Sequence, residues 1–98
     1  MIVVANEAQA NTLNEISRLT EWIVEELGYI SGDVANANKA IENGSSMVRV
    51  PDTARLAKHS AEREGLYKAA YFAGVAEEDL KLAATLTETG SRHYFTTK

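Results

Sequence analysis

The stretch that decides the fold is TARLAKHSAEREGLYKAAYFAGV, residues 53–75, in which a small residue recurs at every fourth position: Ala57, Ala61, Gly65, Ala69 and Ala73. On an α-helix that row forms one continuous ridge. With no side chain above a methyl along it, the ridge is expected to be a helix-packing spine. The opposite face carries Leu56, Leu66, Tyr67, Ala70 and Gly74, with His59 and Arg63 near it. A helix with two packable faces belongs in the middle of a bundle. Gly65 either lies within this helix or breaks it, and its place in the small-residue row favours continuity despite a cost of about 1 kcal/mol against alanine.

Upstream, Asn11 is a candidate N-cap, and apolar residues recur with helical spacing at Leu13, Ile16, Thr20, Ile23, Leu27 and Ile30. Trp22, the one tryptophan, falls on the other side among Glu15, Arg18, Glu21, Glu25 and Glu26. It therefore faces away from this helix's own seam, which makes Trp22, Arg18 and Glu25 a candidate partner interface. Gly28 and the Ser31-Gly32 pair predict a break. Asp33 then caps a shorter segment in which Val34, Ala37 and Ile41 share a face. Met47 to Val50 reads as extended, because Val50 precedes the sole proline. Downstream of the central helix, Glu77, Glu78 and Asp79 open a last short helix that Gly90 closes.

Together these elements predict one mainly α domain over residues 1–98. It is a small bundle of about four helices with minor β segments at the termini and around residues 47–50. The 98 residues, 45% apolar, suit one modest core, and no cysteine is present to cross-link it. Homo-oligomerisation is the expected support for so small a domain. No basic start precedes a long apolar run, and no stretch approaches the roughly 18 to 20 apolar residues of a membrane span. A soluble, cytoplasmic protein is expected.

Net charge is −4, and all of the excess lies in residues 1–50, with seven acids against three bases. That balance disfavours binding to nucleic acid or anionic lipid and suits a basic partner surface. His59 and His93 are the two histidines and lie 34 positions apart, with no cysteine and no paired carboxylate spacing that marks a metal site. No nucleophile elbow or phosphate loop is present, so no cofactor and no enzymatic activity are expected.

The C-terminal run brings Arg92, His93, Tyr94, Thr96 and Lys98 together without an acid. Fork donor, hydroxyls and a stacking face are the groups that hold a small anionic, nucleotide-like ligand, so these five are candidate ligand-binding residues.

The spacing Ala70, Gly74, Val75, Leu80 and Ala83 resembles the helix-turn-helix pattern of DNA-binding regulators. That resemblance implies a second helix entering the major groove by its N-terminal end, where basic or amide side chains are needed. Here the positions hold Glu77, Glu78 and Asp79, which repel phosphate, so the turn reads as structural. The expected function is a non-enzymatic binding protein that occupies a partner's surface or sequesters a small anionic ligand. By size class it resembles inhibitory accessory proteins of phages and mobile elements. A DNA-binding regulator is the alternative.

Overall fold

The computed structural model describes residues 1–44 and 52–98, so the extended segment expected around residues 47–50 lies outside the described residues. The chain is mainly helical. In order it forms β1 (Ile2–Val3), α1 (Glu7–Glu42), α2 (Ala54–Phe72), α3 (Glu77–Ala83) and β2 (Phe95–Thr96). Three helices are therefore present among the described residues, against about four expected, because the first two expected helices are one.

α1 begins at Glu7, not after Asn11, since the Asn6 side chain accepts the Gln9 backbone N–H at 2.9 Å and caps the first turn. It then runs straight through Gly28 and Gly32. Neither glycine takes up a positive φ. Each costs about 1 kcal/mol relative to alanine in a helix interior, which is a penalty and not a barrier. The helix stops only at Asn43, where Gly44 adopts φ +79°.

α2 is continuous through Gly65 and ends in a Schellman turn. Gly74 at φ +88° lets Val75 N–H reach the Ala70 carbonyl at 3.1 Å while Gly74 N–H bonds Tyr71 at 3.1 Å. Val75 and Ala70, the hydrophobic pair of that motif, are both buried. α3 ends at Ala83, well short of Gly90. Gly90 instead turns a small hairpin whose arms meet at the Leu86–Arg92 bridge, with Thr87 N–H bonded to the Ser91 carbonyl at 2.8 Å.

The two termini pair in parallel, Ile2 opposite Phe95 and Val3 opposite Thr96. The core lies at this end of the molecule, where Leu13 and Ile16 of α1 meet Ala70, Val75, Leu80, Ala83 and Phe95. α2 returns along α1 on its Leu66, Tyr67 and Ala70 face, so the small-residue ridge requires correction: Ala57, Ala61, Gly65, Ala69 and Ala73 are all exposed in the chain. With a single long helix to pack against, α2 buries the face that offers more apolar area, and methyl groups offer little. The distal part of α1 extends past the start of α2 at Ala54, and the molecule measures 59 Å along its longest axis and 16 Å along its shortest.

Candidate functional site

Arg18, Trp22 and Glu26 succeed one another at four-residue intervals on α1, so they line one face beside α2. The Arg18 guanidinium stacks on the Trp22 ring at 4.5 Å, and the His59 ring of α2 lies 4.9 Å from the indole, tilted by 50°. His59 is buried, and its Nδ1 sits 3.0 Å from Oε1 of Glu26. Arg18 is held in turn by Glu15, to which its Nε donates at 3.0 Å and a second guanidinium nitrogen donates beside it. That hydrogen bond lowers the Glu15 carboxyl below its ordinary value, against partial burial, with smaller contributions from the charges of Arg18 and Arg92. Trp22 is thereby fixed between a cation and an imidazole and remains 42% exposed. Glu25 and Trp22 border a concavity of about 460 Å³ whose far side is formed by Arg55 and Lys58.

Sequence reasoning placed Trp22, Arg18 and Glu25 on one surface, and the structure brings them together there. It also shows what spacing within α1 could not, that His59 of α2 forms the second wall of the indole. Arg63, the other polar residue aimed at the α1–α2 seam, reaches the Thr20 hydroxyl at 3.4 Å. Thr20 is buried and its hydroxyl lies 2.8 Å from the Ala83 carbonyl and 2.9 Å from that of Ile16, so it ties α1 to the end of α3.

The C-terminal run is secured from α1. Ser17 Oγ donates to the His93 carbonyl at 2.7 Å, and the Asn14 side chain bonds both backbone groups of Phe95. Arg92 stacks on Tyr94 at 4.7 Å, and its charge acts on Glu15. The Arg92–Tyr94 pair thus continues the strip formed by Glu15, Arg18 and Trp22. His93 is partly buried, and the Thr96 hydroxyl has its own chain for a neighbour, the Thr97 carbonyl at 3.4 Å. Lys98 lines a separate concavity with Val3, Gly74 and Asp79 that contains neither Arg92 nor Tyr94. The five residues of the expected ligand site are therefore divided between two places.

A further surface escaped the sequence reading. Tyr67, Tyr71 and Phe72 flank an open, mostly apolar concavity of about 840 Å³ near the end of α2, with Arg63, Lys68 and Ala84 in its walls. Tyr71 and Phe72 meet edge to face at 5.6 Å, and Phe72 is 83% exposed. The signal available was the Tyr67–Tyr71 spacing of four, one helical turn apart.

Ala70, Val75, Leu80 and Ala83 of the helix-turn-helix spacing are all buried around the Gly74 turn. Glu77 and Glu78, at the start of the second helix, are exposed. Among the described residues no group of three or more His, Cys, Asp or Glu side chains is placed to hold a metal ion, and no helix is long and apolar enough to cross a membrane. The chain matches no protein-family model, no curated protein and no solved structure.

Proposed function

We propose that the protein is a non-enzymatic binding protein of the small accessory or inhibitor type, acting by occupying a partner protein's surface with the strip that runs from Tyr94 and Arg92 past Glu15 and Arg18 to Trp22. The observation that carries this reading is Trp22, half-exposed yet held between Arg18 at 4.5 Å and His59 at 4.9 Å. Tryptophan, tyrosine and arginine are the residue types that dominate binding energy at protein interfaces, and anchors whose rotamers are already fixed lose little entropy on docking. The carboxylates beside the strip that do not face the α1–α2 seam, Glu21 and Glu25, favour a partner with basic groups at the rim.

The same strip supports ligand sequestration less well, because the cations named for that role do not converge. DNA binding is opposed by Glu77 and Glu78 where the phosphate backbone would approach. The test is affinity capture from a lysate of the cells that make the protein, comparing wild type with Trp22→Ala and Arg18→Ala at matched folded concentration. A partner retained by wild type and lost from both variants supports the reading. Equal recovery by all three, or salt-sensitive recovery of duplex DNA instead of a protein, overturns it.

A further inference from the structure

The aromatic concavity near the end of α2 shares no residue with the partner-binding strip. Arg63, Tyr67 and Tyr71 line it at four-residue intervals on one face of α2, Phe72 stands beside them, and Ala84 closes it from the end of α3. Tyr67 is half-buried and packs against the core, so it forms the fixed part of the wall. Tyr71 and Phe72 are 58% and 83% exposed, and their rings meet edge to face. An exposed aromatic patch with polar residues at its rim marks a docking place for something apolar. This end of α2 also lies away from residues 45–51. Those join the described chain at Gly44 and Asp52, whereas Ala54 and Phe72 are about 27 Å apart along the helix.

Charge narrows what docks. Three ionic side chains line the concavity, Arg63, Glu64 and Lys68. Lys68 Nζ lies 3.0 Å from Glu64 Oε1, so those two charges compensate each other. Arg63 forms no ion pair among the described residues, and its one hydrogen-bond contact there is a long one, Nη1 to the Thr20 hydroxyl at 3.4 Å. A guanidinium carries five N–H groups, so most of this fork is unused. The concavity therefore offers one uncompensated positive charge toward one end and aromatic rings toward the other. Arg63 and Tyr71 are about 12 Å apart along the helix axis, with Tyr67 between them.

We infer that this concavity binds a small aromatic monoanion, an arene of fused or linked rings bearing one carboxylate, with the carboxylate on Arg63 and the rings against Tyr67, Tyr71 and Phe72. Its volume of about 840 Å³ is that of a small-molecule site. Rings already in place receive another ring by offset or edge-on stacking, and the planar fork of Arg63 matches a carboxylate with two hydrogen bonds. A cationic ligand is repelled by Arg63. A polyanion is disfavoured too, because the site has one uncompensated base and the chain a net charge of −4. None of Arg92, His93, Tyr94, Thr96 and Lys98 lines this concavity, so it is a different place from the C-terminal ligand site expected from the sequence.

The test is NMR titration of the full chain with 2-naphthoate and with its neutral counterpart 2-naphthamide, following the aromatic side-chain signals. Wild type should bind 2-naphthoate saturably, shifting Tyr67, Tyr71 and Phe72, and should prefer it to the amide by about tenfold, the worth of one charge-assisted hydrogen bond. Arg63→Met should abolish that preference while still binding the amide as wild type does, a split that misfolding cannot imitate. Phe72→Ala, a change at an exposed side chain, should weaken both probes several-fold. Trp22→Ala should bind 2-naphthoate as wild type does, so this site and the partner-binding strip stand or fall separately. No saturable binding below about millimolar, equal affinity of wild type for the two probes, or shifts centred on Trp22 or Tyr94 overturns the inference. So do Tyr71 and Phe72 signals that move with protein concentration alone, which would give the concavity to a second copy of the chain.

Discussion

Asn14 holds Phe95 as a neighbouring strand would: its Oδ1 accepts the Phe95 N–H at 2.8 Å and its Nδ2 donates to the Phe95 carbonyl at 2.9 Å. One primary amide thereby replaces an edge of β-sheet, and β2 is bonded on both sides, by β1 and by the helix. Phe95 enters the core as a consequence. Asn14→Ala should destabilise the protein by about 2 kcal/mol, because two partly buried backbone groups lose their partners. Asn14→Asp should cost at least as much, since a carboxylate cannot donate to the Phe95 carbonyl. Urea unfolding followed by circular dichroism checks both.

Thr20 joins α1 to α3 by placing its hydroxyl between the Ala83 and Ile16 carbonyls, and it receives the Arg63 guanidinium at 3.4 Å. Thr20→Val keeps the shape and removes the hydroxyl. A loss of about 1–2 kcal/mol is expected, from the unpaired Ala83 carbonyl and the released guanidinium. Thr20→Ser should recover much of that loss, and the same unfolding curves report it.

Ala61 lies on the exposed ridge of α2. A leucine there meets solvent and not a packed helix, so Ala61→Leu should change stability by less than about 0.5 kcal/mol. A loss of about 1–3 kcal/mol, the mark of overpacking, would show that another helix covers the ridge in solution.

Glu15 gives a pH dependence with a definite sign. Its carboxyl is lowered, first by the hydrogen bond from Arg18 and then by the Arg18 and Arg92 charges. A depressed folded-state value means that its stabilisation is present above the unfolded carboxylate value of about 4.3 and is lost as the pH falls further. The pair is well exposed, so the effect is small. Thermal melts of wild type and Glu15→Gln should differ most at neutral pH and converge toward pH 3.

The sequence by itself determined the helices' existence and much of their facing. Leu13, Ile16, Thr20 and Ile23 are buried as their spacing requires, and the angle of Trp22 placed it off that seam beside Arg18 and Glu25. Periodicity carries such information because residues one turn apart share a face whatever lies opposite. Which face receives a neighbour is a different matter. The ridge from Ala57 to Ala73 was visible as a ridge, but the three-dimensional competition among faces for α1 left it outside and took Leu66 and Ala70 instead. Gly28 and Gly32 looked like stops because local propensity favours a break, and the unbroken 36-residue helix overrides it.

Only the tertiary structure decided the contacts that cross the chain. Asn14 and Ser17 lie 81 and 76 positions from the backbone groups they bond, and nothing in their local sequence distinguishes them from solvent-facing polar residues. The stack of His59 on Trp22 likewise depends on how α2 lies along α1. A side chain's type limits the bonds it can make, and the packing of whole elements selects the partner, which is why the anchors of the C-terminal strand and the second wall of the indole belong to the fold and not to any stretch of sequence.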